Sequence, residues 1–201
     1  MAGLFVSFEG IDRAGKTTQA RLLCESLGER AFAVREPGGT AIGERVRTLL
    51  KDPALEIGPK TEALLFAAAR AELVARVVRP ALAAGRVVVS DRFVDSSLAY
   101  QGEGRGLGVD EVAAINRFAT GGLVPDLTIL LELHADAAAE RSGEGDRLED
   151  EGLDLQLRVE DAYRRLATDS RWRRIAADRP PEEVHRDVLA AVEAALATVP
   201  A

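Results

Sequence analysis

Gly10-Ile11-Asp12-Arg13-Ala14-Gly15-Lys16-Thr17 is the stretch that decides the fold, since it reads G-x-x-x-x-G-K-[ST]. The apolar run 4–8 before it is rich in β-forming residues, and the run 17–24 after it has apolar residues at helical spacing. A strand that turns through glycines into a helix is the context of a phosphate-binding loop. An accidental glycine-rich turn would not require these flanks, so the stretch predicts a nucleotide-binding α/β fold.

The residues of this phosphate loop (residues 10–17) suit a polyphosphate for physical reasons. Gly10 and Gly15 lack side chains, so backbone N–H groups can curl around an anion. The helix that begins near Gly15 directs its positive end at the same place. Lys16 can reach the β- and γ-oxygens of a nucleotide, and the Thr17 hydroxyl can bind Mg²⁺.

The composition limits the class of protein. The chain has 201 residues, which fits a single domain spanning 1–201, and no apolar run approaches the ~20 residues that cross a bilayer. The net charge of −7 argues against a nucleic-acid-binding scaffold, which is usually basic. Cys24 is the only cysteine and no secretory leader is apparent, so we expect a cytoplasmic protein without disulfides.

Strand and helix patterns alternate along the chain. Strands are predicted at 4–8, 32–36, 86–91, 127–132 and 172–176. Helices are predicted at 17–24, 43–51, 60–84, 95–100, 110–120, 135–142, 155–168 and 181–198. The alternation predicts a mainly parallel five-stranded sheet with helices on both faces. Gly10, Glu36 and Asp91 follow three of the strands, so we expect them to meet in one crevice at the carboxyl edge of the sheet.

Several segments beyond the phosphate loop together resemble thymidylate kinases. They are FEGIDRAGKTTQ at 8–19, REPGGT at 35–40 with GERVR at 43–47, LLFAAAR at 64–70, VSDRFVDSSLAYQG at 89–102 and DRLE at 146–149. The resemblance implies a nucleoside-monophosphate-kinase fold with a short lid at about 142–154. It implies transfer of the γ-phosphoryl group of ATP to dTMP, with Mg²⁺ as cofactor, by a cytosolic homodimer that needs no nucleic acid or membrane.

The resemblance also assigns roles to residues. Catalysis falls to Arg13, Lys16 and Arg92. ATP is expected at Gly10, Ile11, Asp12, Arg13, Ala14, Gly15, Lys16, Thr17, Thr18, Arg141 and Arg147. The acceptor nucleotide is expected at Asp12, Glu36, Arg47, Phe66, Arg70, Arg92, Ser96, Ser97, Tyr100 and Gln101. Thr17 and Asp91 are the expected metal-binding residues, and Tyr100 is expected under the deoxyribose.

Physical reasoning supports some of these roles and leaves others open. Asp91-Arg92 at a strand end is either a surface ion pair or a site for Mg²⁺ and bridging phosphates. Phe66 and Arg70 lie four apart on one helix face, where they suit a pyrimidine, although Phe66 could equally pack in the core. Arg45 and Arg47 face different ways, and we expect Arg47 to reach the acceptor phosphate.

Three further points stay open. The resemblance does not divide the work between Arg13 in the loop and the lid arginines Arg141 and Arg147. Glu9 is either a group behind the metal site or a structural carboxylate. The predicted helix 60–84 carries more apolar surface than one chain need bury, so part of it is expected to contact a second copy.

Other functions are compatible with a phosphate loop. A regulatory GTPase would need an Asn-Lys-x-Asp motif, but Asn116 is the only asparagine and is not followed by lysine. A kinase of another nucleoside or nucleotide acceptor would have a similar sheet and Asp91-Arg92. Phe66 and Arg70, together with Ser97 and Tyr100, favour thymidylate as the acceptor. A scaffold that only binds nucleotides would not need arginines for an acceptor phosphate.

Overall fold

The computed structural model describes residues 3–141 and 152–199 and contains a five-stranded parallel sheet. Its strands are β1 (Leu4–Glu9), β2 (Ala31–Arg35), β3 (Val87–Asp91), β4 (Leu127–Glu132) and β5 (Trp172–Ala176). Their order is β2-β3-β1-β4-β5, and each neighbouring pair is parallel. The predicted fold class and the five strands are therefore confirmed.

Helices follow the strands as predicted, with two differences. They are α1 (Lys16–Leu27), α2 (Ala41–Lys51), α3 (Pro59–Leu73), α4 (Arg79–Ala83), α5 (Val94–Ser97), α6 (Val109–Thr120), α7 (Ala135–Glu140), α8 (Leu153–Leu166) and α9 (Pro181–Thr198). The predicted helix 60–84 is α3 and α4 joined by a π-helical segment, Val74–Val78. The predicted helix 95–100 is α5 extended by a π-helical segment, Leu98–Gly104. Hydrophobic spacing reports helix but does not distinguish α from π winding.

The three central strands, β1, β3 and β4, are buried on both faces. In β1, Leu4, Val6 and Phe8 join one apolar cluster, whereas Phe5 joins another with residues such as Val78 after α3. This alternation is the period of two that a strand imposes, with apolar helices covering each face. No helix of the described residues is both long enough and apolar enough to span a bilayer.

The strand order places a crevice between β1 and β3. The chain leaves β1 toward β2 and leaves β3 toward β4, so the two connections depart in opposite directions from adjacent strands. Backbone hydrogen bonds tie the strand ends together, from Arg92 N to Phe8 O at 3.0 Å and from Glu36 N to Asp91 O at 3.0 Å. The expected meeting of the segments at Gly10, Glu36 and Asp91 follows from this topology.

The predicted lid at about 142–154 falls largely on residues 142–151, which lie outside the described part of the chain. The last residues of the predicted range belong to α8, which begins at Leu153.

Candidate active site

The backbone of the phosphate loop requires glycine where the sequence has it. Gly10 has φ 137°, and a Cβ there would lie 2.6 Å from the carbonyl oxygen of Leu131 on the neighbouring strand. Gly15 has φ 95° at the start of α1. Arg13 adopts φ 62° inside the loop, a backbone conformation that residues other than glycine rarely take. The loop therefore curves tightly against β4 and leaves its backbone free to face the crevice.

Lys16 is held inside this curve. Its Nζ donates to the carbonyl oxygens of Gly10 at 3.1 Å and Ile11 at 2.6 Å, and the side chain is buried. Burial, and secondarily the charge of Arg92, lower the pKa of Lys16 from 10.5 to about 8. An additional negative group beside Lys16 would favour the charged form of its ammonium.

Thr17 in the first turn of α1 and Asp91 at the end of β3 meet across the crevice. Thr17 Oγ1 donates to Asp91 Oδ2 at 2.5 Å. Within the described residues, no cluster of three or more histidine, cysteine or acidic side chains could hold a metal ion by itself. A hydroxyl beside one carboxylate fits Mg²⁺, which keeps several water ligands and takes others from substrate phosphates.

Arg92 occupies the centre of the crevice. It has φ 73°, and its Nη1 donates to Gly10 O at 3.2 Å and to Ser96 Oγ at 3.0 Å. Nη2 forms an ion pair with Asp12 and donates to Tyr100 Oη at 3.3 Å. The guanidinium also lies over the Tyr100 ring, 4.9 Å from its centroid. These contacts fix a planar cation between the phosphate loop and the segment that follows β3.

Asp12 already has three protein donors. Oδ1 accepts from Arg92, and Oδ2 accepts from Gln156 Nε2 at 2.7 Å and from Tyr100 Oη at 3.0 Å. Burial alone would raise the pKa of Asp12, but Arg92 and Lys16 lower it below its ordinary value. Gln156 lies on α8, just beyond the predicted lid, and no sequence motif indicated it.

Glu9 supports Arg92 from behind. Its Oε1 accepts from the backbone N–H of Phe93 at 2.8 Å, and Oε2 accepts from Ser96 Oγ at 2.5 Å and Tyr163 Oη at 3.0 Å. Burial, and then the charge of Asp95, raise the pKa of Glu9 from 4.5 to about 7. Both carboxylate oxygens of Glu9 accept hydrogen bonds from the segment after β3, which favours the structural interpretation of Glu9.

A pocket formed by Phe66, Arg70, Ser97 and Gln101, here called the base pocket, occupies the other end of the crevice. Arg70 is buried, and its guanidinium makes four hydrogen bonds and an ion pair within the protein. Nε and Nη2 reach Glu36 Oε2 at 2.6 Å, Nη1 reaches Ser97 Oγ at 3.0 Å and Asn116 Oδ1, and Nη2 reaches Phe93 O at 3.0 Å. Donation from Arg70 to a base carbonyl, as expected, would therefore exchange one of these bonds.

Glu36 and Arg47 border the same region. Burial raises the pKa of Glu36 despite the opposing effect of Arg70. Its Oε1 is buried without a hydrogen-bond partner among residues 3–141 and 152–199. Arg47 donates from Nη1 to Pro37 O at 3.0 Å and faces the crevice, whereas Arg45 is exposed on the other side of α2.

Arg13 and Arg141 are tied to each other. Arg13 Nη1 donates to Arg141 O at 3.1 Å, and Arg141 Nη1 donates to Arg13 O at 2.9 Å. Arg141 Nη2 also donates to Ala177 O at 2.7 Å, just after β5. The third predicted arginine, Arg147, lies outside the described residues.

One cleft of about 520 Å³ connects the phosphate loop to the base pocket. Most of the predicted site residues line it: Asp12, Arg13, Gly15, Lys16, Thr17, Thr18, Glu36, Arg47, Phe66, Arg70, Asp91, Arg92, Ser96, Ser97, Tyr100, Gln101 and Arg141. The loop residues Gly10, Ile11 and Ala14 are buried and do not line the cleft, so any contact they make with a nucleotide is through the backbone. Residues that the sequence reasoning missed also line the cleft: Arg35, Pro37, Lys51, Glu62 and Arg105.

Comparison with known proteins agrees with this geometry. The family model described as thymidylate kinase matches residues 8–188. A thymidylate kinase of Halothermothrix orenii is 45% identical, with 98% of this chain and 99% of that protein covered. One from Desulforudis audaxviator is 54% identical, with 84% and 79% covered.

The crystal structure of a thymidylate kinase from Ehrlichia chaffeensis superposes with a TM-score of 0.80 at 30% identity, covering 96% of this chain and 100% of that one. The parallel sheet, the phosphate loop and the shared sequence point to one conclusion. The chain belongs to the thymidylate kinase family, the enzymes that phosphorylate dTMP with ATP.

Proposed function

We propose that the cleft holds ATP and dTMP end to end, with their phosphates meeting beside Arg92. The observation that carries this proposal is the continuity of the cleft. Its phosphate end (Lys16, Thr17, Asp91 and Arg92) and the base pocket line the same space. Two nucleotides bound at its ends would place an acceptor phosphate oxygen near the γ-phosphorus.

At the phosphate end, the chain binds and neutralises the donor. Loop N–H groups and the start of α1 hold the phosphates of ATP, and Lys16 exchanges its two carbonyl contacts for phosphate oxygens. Mg²⁺ bound near Thr17 and Asp91 would neutralise charge on the β- and γ-phosphates. The geometry supporting this assignment is the direct contact between that hydroxyl and that carboxylate.

At the junction, Arg92 and Arg13 stabilise the transferring group. An oxygen of the dTMP phosphate forms a bond to the γ-phosphorus, while the bond to the bridging oxygen of ADP breaks. The attacking phosphate is already ionised, so the step needs no general base. Positive charge from Arg92, Arg13 and Lys16 offsets the negative charge that builds up on both nucleotides.

At the acceptor end, Arg47 binds the phosphate of dTMP and the base pocket binds the thymine. Phe66 offers a stacking surface for the base. Tyr100 lines the cleft between the base pocket and the phosphate end, where the sugar of dTMP would lie. Arg141, linked to Arg13 and to Ala177 beyond β5, borders the place of the adenine nucleotide. A lid around residues 142–154 would exclude water, which otherwise hydrolyses ATP.

We further propose that this single domain acts in the cytosol as a homodimer. Exposed apolar side chains lie on α2, α3 and α6, which pack side by side: Ile42, Leu49, Leu64 and Phe118. Phe118 is 92% exposed, which is costly unless another surface covers it. Sedimentation at micromolar concentration should give twice the chain mass, and Phe118→Ser should shift the protein toward the monomer. The cytosolic location rests on Cys24 being the only cysteine.

A coupled assay of ADP release tests the function directly. With ATP and Mg²⁺, purified protein should phosphorylate dTMP much faster than dCMP or thymidine. Thymidine lacks the phosphate that Arg47 and Arg92 require. Equal rates with thymidine and dTMP would contradict the proposed geometry, and no turnover with dTMP would contradict the function.

A further inference from the structure

Glu62 is a buried carboxylate that the mechanism above does not use. It is 1% exposed on α3, and it lies one and two helical turns before Phe66 and Arg70 on the same face. It therefore borders the base pocket without belonging to any motif that predicted the site. A buried carboxylate is costly unless it is fully paired, so its partners indicate what it does.

Arg105 and Gln101 both contact Glu62. Arg105 holds the carboxylate by two bonds, from Nε to Oε1 at 3.1 Å and from Nη2 to Oε2 at 3.0 Å. Gln101 Nε2 donates to Oε1 at 3.0 Å. Arg105 thus fixes the position of the oxygen that Gln101 contacts.

This contact determines which end of the Gln101 amide faces the cleft. A carboxylate can only accept hydrogen bonds, so the amide group that meets Glu62 must be the nitrogen. A flipped amide would set Gln101 Oε1 against a carboxylate oxygen and leave a buried acceptor unpaired. Gln101 Oε1 has no donor among the described residues, and Gln101 lines the cleft. The amide therefore presents an acceptor to whatever occupies the base pocket.

The position of Gln101 in the backbone makes this arrangement rigid. It lies in the π-helical segment Leu98–Gly104, a rare winding that often occurs at functional sites. Backbone bonds at the end of the segment fasten it, from Arg105 N to Tyr100 O at 2.8 Å and from Leu107 N to Gln101 O at 3.3 Å. The side chain of Gln101 is only 4% exposed, so it cannot reorient freely.

We propose that Glu62 is a positioning residue that makes the base pocket specific for a pyrimidine with N3–H. Thymine and uracil carry a proton on N3, which the fixed Gln101 oxygen can accept. Cytosine carries a lone pair on N3, which would face another acceptor and be rejected. This inference rests on the proposed function, since it assumes that the acceptor base lies in this pocket.

The test is a double-mutant cycle with three acceptors. Wild type, Glu62→Ala, Gln101→Ala and the double variant are compared by kcat/KM for dTMP, dUMP and dCMP. Glu62→Ala should lower the dTMP:dCMP and dUMP:dCMP ratios about tenfold or more, and leave the dTMP:dUMP ratio within about twofold. The loss should disappear in the Gln101→Ala background, because Glu62 acts through Gln101.

Controls separate this role from simple loosening of the fold. Glu160→Gln removes another largely buried glutamate, which pairs with Arg164 on α8, and should leave all three ratios unchanged. Glu62→Gln keeps one acceptor oxygen for Gln101, so it should keep most of the preference. If Glu62→Ala does not fold, Glu62→Met keeps the volume and takes its place in the cycle.

The outcomes distinguish the two proposals. Suppose that wild type phosphorylates dTMP but Glu62→Ala lowers kcat/KM equally for all three acceptors. Glu62 is then only structural and the inference fails. It also fails if Glu62→Ala lowers the dTMP:dCMP ratio by the same factor in the Gln101→Ala background as in wild type. If wild type does not phosphorylate dTMP, the proposed function itself fails.

Discussion

The two ends of the cleft are built in different ways. At the phosphate end, consecutive residues of one loop supply backbone N–H groups, Lys16 and Thr17, so eight residues of sequence specify most of the geometry. At the base pocket, Arg70 on α3, Gln101 in the π-helical segment and Asn116 on α6 come from distant parts of the chain. A local motif suits phosphates, which need only positive charge and N–H groups, whereas a base requires donors and acceptors fixed by neighbours.

The comparison predicts that changes at the phosphate end lower kcat and that changes at the base pocket alter KM and selectivity. Arg92 should give the largest effect. Arg92→Gly suits the positive φ of this position and removes the bridging cation, so kcat should fall about 1,000-fold. Steady-state kinetics measure this, and the melting temperature checks that the variant is folded. A folded variant within tenfold of wild-type kcat would exclude Arg92 from the transferring group.

Arg47 and Arg45 form a matched pair on one helix. Arg47→Ala should raise the KM for dTMP about thirtyfold, or about 2 kcal/mol, by removing a charged donor from the acceptor phosphate. Arg45→Ala removes the same charge from the exposed side of α2 and should change KM less than twofold. Equal effects of the two variants would mean that only long-range charge matters.

Arg13 tests whether the loop or the lid supplies the catalytic arginine. Arg13→Gly also fits the positive φ of its position, and it should lower kcat about tenfold while changing the KM for dTMP less than twofold. The same kinetic assay with Arg141→Ala gives the contribution of the linked arginine. Unchanged turnover in Arg13→Gly would assign the role elsewhere.

Asn116 tests the base pocket with a smaller change. Its Oδ1 accepts from Arg70, and its Nδ2 donates to Val112 O at 2.8 Å within α6. Asn116→Ala leaves one Arg70 donor without this acceptor, so the KM for dTMP should rise about fivefold while kcat stays within twofold. A fall in kcat without a change in KM would show that the two ends are not separable.

Glu9 should give the smallest effect, on stability rather than on rate. Its pKa is raised from 4.5 to about 7 by burial and then by Asp95, so the folded state keeps a proton that the unfolded state loses in this range. The stability contributed by the neutral carboxyl is present below about pH 4.5 and is lost as the pH rises to about 7.

Glu9→Gln cannot titrate. The difference in melting temperature between pH 5 and pH 8 should therefore be about 5–10 °C smaller in the variant than in wild type. Thermal unfolding at both pH values measures it, and parallel pH profiles would mean that Glu9 is charged in the folded protein.

The amino-acid sequence by itself determined the parallel sheet, the phosphate loop and most of the cleft residues. Strand and helix periods are local, and the carboxyl ends of parallel strands meet at one edge, so Lys16, Asp91 and Arg92 could be placed together from their positions alone. Helical spacing indicated only that Arg45 and Arg47 face different ways, and the resemblance to thymidylate kinases pointed to Arg47.

Only the tertiary structure decided which hydrogen-bond partners the polar side chains of the site have. Asp12 and Arg70 were expected to serve the nucleotide, yet their partners include Gln156 and Asn116, which lie 144 and 46 residues away in the chain. The environment of Glu9 and the orientation of Gln101 by Glu62 likewise depend on side chains from separate elements. A hydrogen bond needs its two atoms within about 3 Å, and sequence spacing does not determine that distance between distant segments.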